Sequence, residues 1–200
     1  MDYTQQILEA AKAFTFLEAA GVFFGFLYIY LAAKESIWCW PAGTIGVLIF
    51  IYICIDAQLY AETALQFYYL GTSLYGWYHW RSVPDTEKLP ISKMSLQQHL
   101  LFIGSGIVLT FIIGYSLATY TNASIPYIDS FTTIFSLLTT YLVTRKIIEN
   151  WLYWIIVDSV GAYQYFYKEL YLTSFLFVCY VVIVIFGYFK WKKIYQAQHA

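Results

Sequence analysis

Charged residues are scarce in this sequence of 200 residues. Asp, Glu, Lys and Arg together make up 12% of it and leave a net charge of −1. Binding to nucleic acid needs Lys and Arg clustered on an exposed face. The sequence has no such basic footprint, so we expect no nucleic-acid partner.

Cysteine and histidine are also rare, with three residues of each. Cys39, Cys54 and Cys179 lie within apolar stretches and show no CxxC spacing, which is typical of buried thiols. The histidines have no companions at metal-ligand spacing, and the motifs HExxH, GxSxG and GxxxxGK[ST] are missing. The sequence therefore predicts no metal, no other cofactor and no enzyme activity.

Apolar and aromatic residues are what the sequence has in excess. Hydrophobic residues make up 60%, aromatic residues 22%, and the mean hydropathy is +0.60, outside the range of soluble domains. A helix needs about 20 mostly apolar residues to cross a bilayer. We predict an all-α integral membrane protein with seven transmembrane helices near 14–33, 37–56, 59–80, 99–119, 128–146, 150–167 and 170–190.

Basic residues predict the orientation of these helices, because Lys and Arg near the spans are retained in the cytoplasm. Two of them, Lys12 and Lys168, fall on one side of the predicted membrane. The other nine are Lys34, Arg81, Lys88, Lys93, Arg145, Lys146, Lys190, Lys192 and Lys193. We therefore expect the N-terminus outside and the C-terminus in the cytoplasm.

An internal repeat relates the two ends of the chain. A shift of 111 positions aligns 15–82 with 126–193 and gives 14 identities in 68 positions. The identities include Trp40 with Trp151 and Trp80 with Trp191. Each copy contains three spans and one span lies between the copies, so the two triplets run in the same direction.

The predicted organisation is two parallel three-helix repeats joined by one linker helix, a SWEET-like 3+1+3 arrangement. Its parts are a first repeat over 1–82, a cytoplasmic loop over 83–97, the linker helix over 98–120, and a second repeat with a basic tail over 121–200. Repeats of this kind place a substrate site near the midplane between the two halves. An ordinary bundle needs no duplication, so the repeat favours a transporter for a small solute.

The sixth span contains the strongest candidate for a binding site. Trp151, Trp154 and Asp158 recur at i, i+3 and i+7, so they share one helix face. A carboxylate inside a span normally faces a cavity or a partner. Asp158 therefore either hydrogen-bonds to a neighbouring helix or joins the two indoles in a cavity for a flat cationic ring. Its repeat equivalent is Val47, a break in symmetry that an asymmetric ligand would require.

The third span offers a second polar and aromatic face. The residues on this face, at i, i+3, i+7, i+11 and i+14, are Gln66, Tyr69, Ser73, Trp77 and Trp80. Gln66 would bind an amide group of the substrate or, alternatively, form a hydrogen bond between helices. Gln164, nearer the outer end of the sixth span, is a weaker candidate for the same site.

Two of these stretches resemble the PnuC family of vitamin-precursor carriers. Leu65-Gln66-Phe67-Tyr68, followed by Tyr75-Gly76-Trp77-Tyr78-His79-Trp80, is similar to the family's third-helix pattern. Ile148-Glu149-Asn150-Trp151-Leu152-Tyr153-Trp154 with Asp158 is similar to its sixth-helix pattern, WxxWxxx followed by Asn or Asp. The resemblance covers nearly the whole chain.

The resemblance implies uptake of nicotinamide riboside by facilitated diffusion, followed by phosphorylation by a cytoplasmic kinase that prevents its return. From the resemblance we also expect a homotrimer, as occurs in the family, in the lipid bilayer of the bacterial inner membrane. The predicted substrate-binding residues are Asn150, Trp151, Trp154, Asp158, Gln66, Tyr69, Trp77 and Gln164.

Three alternatives to this function stay open. Relatives in the family carry thiamine or riboflavin. Nicotinamide riboside and thiamine are both flat aromatic cations that suit an acid between indoles, whereas the ring of riboflavin is neutral and suits it less. The alternative of another class is a membrane scaffold that transports nothing.

Overall fold

The computed structural model describes residues 16–56, 58, 60–81 and 89–199. Within these residues the chain is all-α, and its only strand-like pairing is an isolated bridge between Ser92 and Ile147. The seven described helices are α1 (Phe16–Ala33), α2 (Cys39–Asp56), α3 (Tyr60–Arg81), α4 (Leu96–Tyr120), α5 (Pro126–Thr144), α6 (Asn150–Tyr167) and α7 (Tyr171–Gln198). Lys12, Lys88 and the predicted boundary at 82–83 lie outside the described residues.

The ends of these helices agree with the predicted spans to within a few residues, except at the C-terminus. There α7 continues to Gln198, whereas the predicted span stops at 190. The additional two turns contain Lys192 and Lys193 and are too polar for the apolar criterion that defined the span. Helix and predicted span therefore differ because a helix can continue beyond its apolar part.

Four of the helices are long and apolar enough to cross a membrane. They are α1, α2, α4 and α7, with mean hydropathies of 1.8, 1.7, 2.1 and 2.4. The helix α5 is more polar, since seven of its 19 residues are Ser or Thr. Several of these hydroxyls donate to a carbonyl one turn earlier, as Ser130 does to Pro126 and Thr140 to Ser136, both at 2.8 Å. Such bonds satisfy the hydroxyl within its own helix.

The packing of the helices brings the two ends of the chain together. Contacts between consecutive helices join α1 with α2, α2 with α3, α5 with α6, and α6 with α7, while α4 packs on α5. Two further contacts, α3 with α5 and α1 with α7, connect the first three helices to the last three. The centre of the bundle is therefore enclosed by α1, α3, α5 and α7, with α2 and α6 beside them.

The main buried cluster lies at the end of the bundle where the basic residues collect, and its largest members are Trp40, Trp80, Trp151 and Trp191. Two glycines make room for it. A Cβ on Gly76 would overlap the ring of Trp40, and a Cβ on Gly187 would lie 2.6 Å from the ring of Trp151. These glycines let α3 approach α2, and α7 approach α6, closely enough to bury an indole in each interface.

Residues 89–95, here called the strap, cross the same end of the bundle. The N–H of Ser92 donates to the carbonyl of Lys146 at 3.0 Å, and the N–H of Ile148 donates to the carbonyl of Ser92 at 2.9 Å. The side chain of Ile91 is 1% exposed. The strap ends at Ser95, which starts α4 through a capping box with Gln98.

Candidate functional site

A cavity of about 270 Å³ lies inside the bundle, between α1, α3, α5, α6 and α7. Five of the predicted substrate-binding residues line it: Tyr69, Asn150, Trp151, Trp154 and Asp158. Tyr69 comes from α3, and the other four come from the first nine residues of α6. The three α6 residues at i, i+3 and i+7 therefore lie on one face, as their spacing predicts. We call this space the central cavity.

Asp158 is the acidic residue among those that line the central cavity. Its side chain is buried, with the residue only 4% exposed. The two ion pairs within the described residues, Lys146 with Glu35 and Lys168 with Asp129, do not involve it. No hydrogen bond joins its carboxylate to another described residue either, so the interpretation as a bond between helices is not supported. A buried carboxyl group without a partner is costly, which makes this group a candidate site for an external cation.

Asn150 and Trp151 add unpaired polar atoms to the same wall. The Asn150 amide donates to the carbonyl of Ile147 at 2.6 Å, while its Oδ1 atom is buried without a hydrogen bond. The Nε1 atom of Trp151 is buried and unpaired as well. Its ring is held edge-on against Trp191, with centroids 5.4 Å apart. The wall therefore contains one unpaired acceptor and one unpaired donor in the first turn of α6.

A second cavity of about 180 Å³ adjoins the central one on the side of α2. The residues that line both are Gly25, Tyr28, Tyr69 and Trp154. Trp40 lies in the second cavity, and its Nε1 atom is buried and unpaired like that of its repeat equivalent, Trp151. We call this space the side cavity.

The two cavities differ in charge. On α2, Gly43 and Val47 stand at the positions that Trp154 and Asp158 occupy on α6. From α2, the side cavity therefore receives the indole of Trp40 but neither a second indole nor an acid. An asymmetric ligand placed across both cavities would have its charged ring next to α6.

Three predicted site residues do not line either cavity. Trp77 is 38% exposed, and Gln66 is partly buried away from both spaces. Gln164 is buried, but its amide donates to Asp129 at 2.8 Å and accepts from Thr132 at 2.8 Å. The structure therefore separates these three residues from the four α6 residues that line the central cavity. Their role in binding stays a prediction.

Two tyrosines of the central cavity were not singled out by the sequence analysis. Tyr28 on α1 and Tyr180 on α7 line the cavity together with Tyr69. Tyr180 is the repeat equivalent of Tyr69 and identical to it, so the repeat contained a usable signal. Tyr28 is one tyrosine among many in apolar helices, and no local pattern distinguishes it. With the indoles of α6, these rings form an aromatic enclosure that suits a flat cation.

Comparison with known proteins gives a consistent result for nearly the whole chain. A family model described as "Nicotinamide mononucleotide transporter" matches residues 15–193. The nicotinamide riboside transporter PnuC of Escherichia coli (strain K12) is 28% identical over 203 residues, which cover 88% of this chain and 85% of the relative. The riboflavin/roseoflavin transporter RibM of Streptomyces davaonensis is 24% identical over 180 residues, covering 87% and 83%.

A solved structure shares the fold. The crystal structure of the vitamin B3 transporter PnuC aligns with a TM-score of 0.73 and 21% identity, covering 98% of this chain and 88% of that one. At this level of identity the likeness establishes the fold alone. The similar proteins are transporters named for different vitamins, so the identity of the transported molecule must be argued from the site.

Proposed function

This chain belongs to the nicotinamide mononucleotide transporter family, and we propose that it takes up a flat aromatic cation, foremost nicotinamide riboside. Like its relatives, it is a multi-pass membrane transporter and not an enzyme. The observation that carries the proposed substrate is the unpaired carboxylate of Asp158 in an aromatic cavity.

The charge of Asp158 favours a cationic substrate. Inside a cavity shielded from water, attraction between opposite charges is several-fold stronger than in bulk solvent. The indoles of Trp151 and Trp154 add cation–π attraction of about 0.5–2 kcal/mol per contact. The pyridinium ring of nicotinamide riboside is flat and permanently charged, so it can pair with the carboxylate and stack on the indoles. Its carboxamide and ribose hydroxyls match the unpaired Oδ1 of Asn150 and Nε1 of Trp151.

Thiamine is the second candidate, because its thiazolium ring is also a flat cation with a hydroxyl-bearing arm. Riboflavin is the third, since the relative RibM is named for it. Its neutral ring would leave the Asp158 carboxylate without a counter-charge, which disfavours it here.

We propose that all seven helices span the membrane as two parallel triplets joined by α4. Among the described residues, four outside the helices have positive φ: Glu35 (56°), Lys146 (50°), Gln58 (58°) and Glu169 (60°). They form two pairs whose members lie 111 positions apart, the shift of the sequence repeat. The contact of α3 with α5 likewise corresponds to that of α7 with α1. These observations support two similar halves related by an axis along the membrane normal.

The mode of transport that we propose is uniport. For a monovalent cation, the membrane potential favours entry by about 2.3 kcal/mol per 100 mV, so no coupling ion is needed. The end with Lys34, Arg145 and Lys190 would face the cytoplasm, and the end with Lys168 would face outward. The intracellular kinase and the homotrimer are expectations from the family resemblance.

The test is uptake of labelled nicotinamide riboside into proteoliposomes that contain the purified chain. A potassium diffusion potential, negative inside, should raise accumulation by up to about fiftyfold per 100 mV if one positive charge crosses without a coupled ion. Asp158→Asn keeps the shape of the side chain and removes its charge, so uptake should fall by roughly tenfold or more. Asp56→Asn, at an exposed acid at the end of α2, is the matched control and should transport normally.

Unchanged uptake by Asp158→Asn would contradict the assignment of the carboxylate. Uptake of thiamine instead of the riboside would change the substrate and keep the mechanism. A chain that moves none of the three vitamins would favour the scaffold alternative.

A further inference from the structure

A buried ion pair lies at the basic end of the bundle, outside the central cavity. The Nζ atom of Lys146 is 2.6 Å from Oε1 of Glu35, and their side chains are 4% and 8% exposed. Burying two charges costs several kcal/mol per ion before their attraction is counted, so such a pair is weak evidence of a stabilising role. Its position in the fold indicates another role.

Glu35 and Lys146 are equivalent positions of the two repeats. They lie 111 residues apart, in the α1–α2 and α5–α6 connections, and both have positive φ. Two residues related by a two-fold axis touch each other only if they lie close to that axis. The ion pair therefore marks the line along which the first and second triplets meet.

A second pair of equivalent residues meets on the same line. The rings of Trp80 and Trp191 are 6.1 Å apart. Each packs edge-on against a tryptophan of its own triplet, Trp80 on Trp40 at 5.2 Å and Trp191 on Trp151 at 5.4 Å. The Nζ atom of Lys146 lies 4.6 Å from the centroid of the Trp80 ring. The ion pair and the four indoles thus form one layer.

Hydrogen bonds across the triplets hold this layer closed. The indole N–H of Trp80 donates to the carbonyl of Thr144 on α5 at 3.1 Å. The indole N–H of Trp191 donates to the carbonyl of Ala32 on α1 at 2.9 Å. Each triplet therefore bonds to the other with the same residue type. Ala32, Trp151 and Val184 belong to this buried cluster and also line the central cavity, so the layer forms one end of the cavity.

The strap covers the layer from the outside. Its Leu89 carbonyl accepts from the Nζ atom of Lys146 at 3.0 Å, and its Ile91 N–H donates to Gln198 on α7 at 3.0 Å. Ile91 is buried in the same apolar cluster as the tryptophans. Lys146 therefore binds one residue of the first triplet and the strap at once.

We propose that Glu35 and Lys146 are the closing contact of a gate between the central cavity and the cytoplasm. Opening towards the cytoplasm separates the two triplets at their basic ends, and residues that meet on the axis must then part. The indole layer and the strap open with them. This inference rests on the proposed transport function and its orientation, but its test requires no substrate.

The experiment measures access to the cavity from the cytoplasmic side. Val143 lines the central cavity three residues before Lys146, is 3% exposed, and is close to cysteine in size. Val143→Cys is made in full-length protein in which Cys39, Cys54 and Cys179 are alanine. A membrane-impermeant maleimide then labels inside-out and right-side-out vesicles, and the labelling rate is compared among gate variants.

Glu35→Gln should raise the labelling rate in inside-out vesicles by at least severalfold, with little change in right-side-out vesicles. The charge-reversed double variant, Glu35→Lys with Lys146→Glu, should return the rate towards that of the parent. Asp129→Asn breaks the other ion pair, Lys168 with Asp129, also at 2.6 Å, and should leave cytoplasmic labelling unchanged. Ile91→Ala loosens the strap without changing any helix and should also raise cytoplasmic labelling. It replaces the charge variants in the test if they do not fold.

Equal labelling of the parent, Glu35→Gln and Ile91→Ala from the inside would overturn the gate. A rise confined to right-side-out vesicles would overturn its placement on the cytoplasmic side. Neither result depends on which vitamin binds, so a failure of the gate is distinct from a failure of the proposed substrate.

Discussion

Asp158 and the two indoles of α6 line one cavity and are the centre of the proposed binding site. One helix face presents an acid, a donor and two large rings to the same cavity, while the equivalent face of α2 has Gly43 and Val47 in place of Trp154 and Asp158. We propose that the difference between the two faces orients the ligand, because only one side of the cavity has an acid to hold its charged ring.

Trp154 lines both cavities, so its truncation should weaken binding directly. Trp154→Ala removes one cation–π and stacking contact of about 0.5–2 kcal/mol, which corresponds to a rise in Kd of roughly two- to thirtyfold. The measurement is titration of purified protein with nicotinamide riboside. Trp38→Ala is the matched control, since Trp38 is 68% exposed and lies outside the cavities. Equal Kd values for the two variants would remove Trp154 from the site.

The α6 part of the site was predictable because its signal is local. An acid inside an apolar helix is conspicuous, and the i, i+3, i+7 spacing places two tryptophans beside it. Gln66, Trp77 and Gln164 have no comparable signal, because the partner of a polar side chain depends on how neighbouring helices are placed. Gln164, for example, bonds to Asp129 on α5, a contact 35 residues distant in sequence that no pattern in α6 indicates.

At the scale of helices, the close approach of α3 to α2 depends on a single missing side chain. Gly76 lies under the ring of Trp40, and a Cβ there would overlap it. Gly71, five residues earlier in the same helix, has no atom within 4 Å of an added Cβ. The two glycines provide a matched comparison within one element.

Gly76→Ala should destabilise the protein, because forcing a methyl group into a packed interface costs typically 1–3 kcal/mol. Gly71→Ala should leave stability unchanged or raise it slightly, since alanine favours helix by roughly 0.5–1 kcal/mol over glycine. Thermal unfolding of both variants in the same detergent measures the difference. A lower Tm for Gly71→Ala than for Gly76→Ala would contradict the proposed role of the interface.

The helices themselves were predictable and the strap was not. Apolar runs of about 20 residues mark helices in the sequence. The predicted and observed helix ends differ by only a few residues except in α7. The strap contains Pro90 and one charged residue, Lys93, and was predicted simply as a loop. It docks through backbone hydrogen bonds to Lys146 and Ile148, which depend on no side-chain pattern.

At the scale of the whole molecule, the family and the transporter class predicted from the third and sixth helices are confirmed. In the proposed two-fold arrangement, the sequence repeat accounts for the contacts between residues 111 positions apart at the end of the bundle. We propose a transporter with two similar halves, a site with one acid between them and an ion pair that closes it. In this proposal the substrate is recognised as a cation.

The most direct test compares nicotinamide riboside with its dihydro form, whose ring has nearly the same outline but no charge. Calorimetric titration of the purified protein should give a Kd for the cation lower by roughly tenfold or more. The same comparison in Asp158→Asn should give two similar, weak Kd values. Equal binding of the charged and neutral forms by the unmodified protein would contradict recognition of a cation by Asp158.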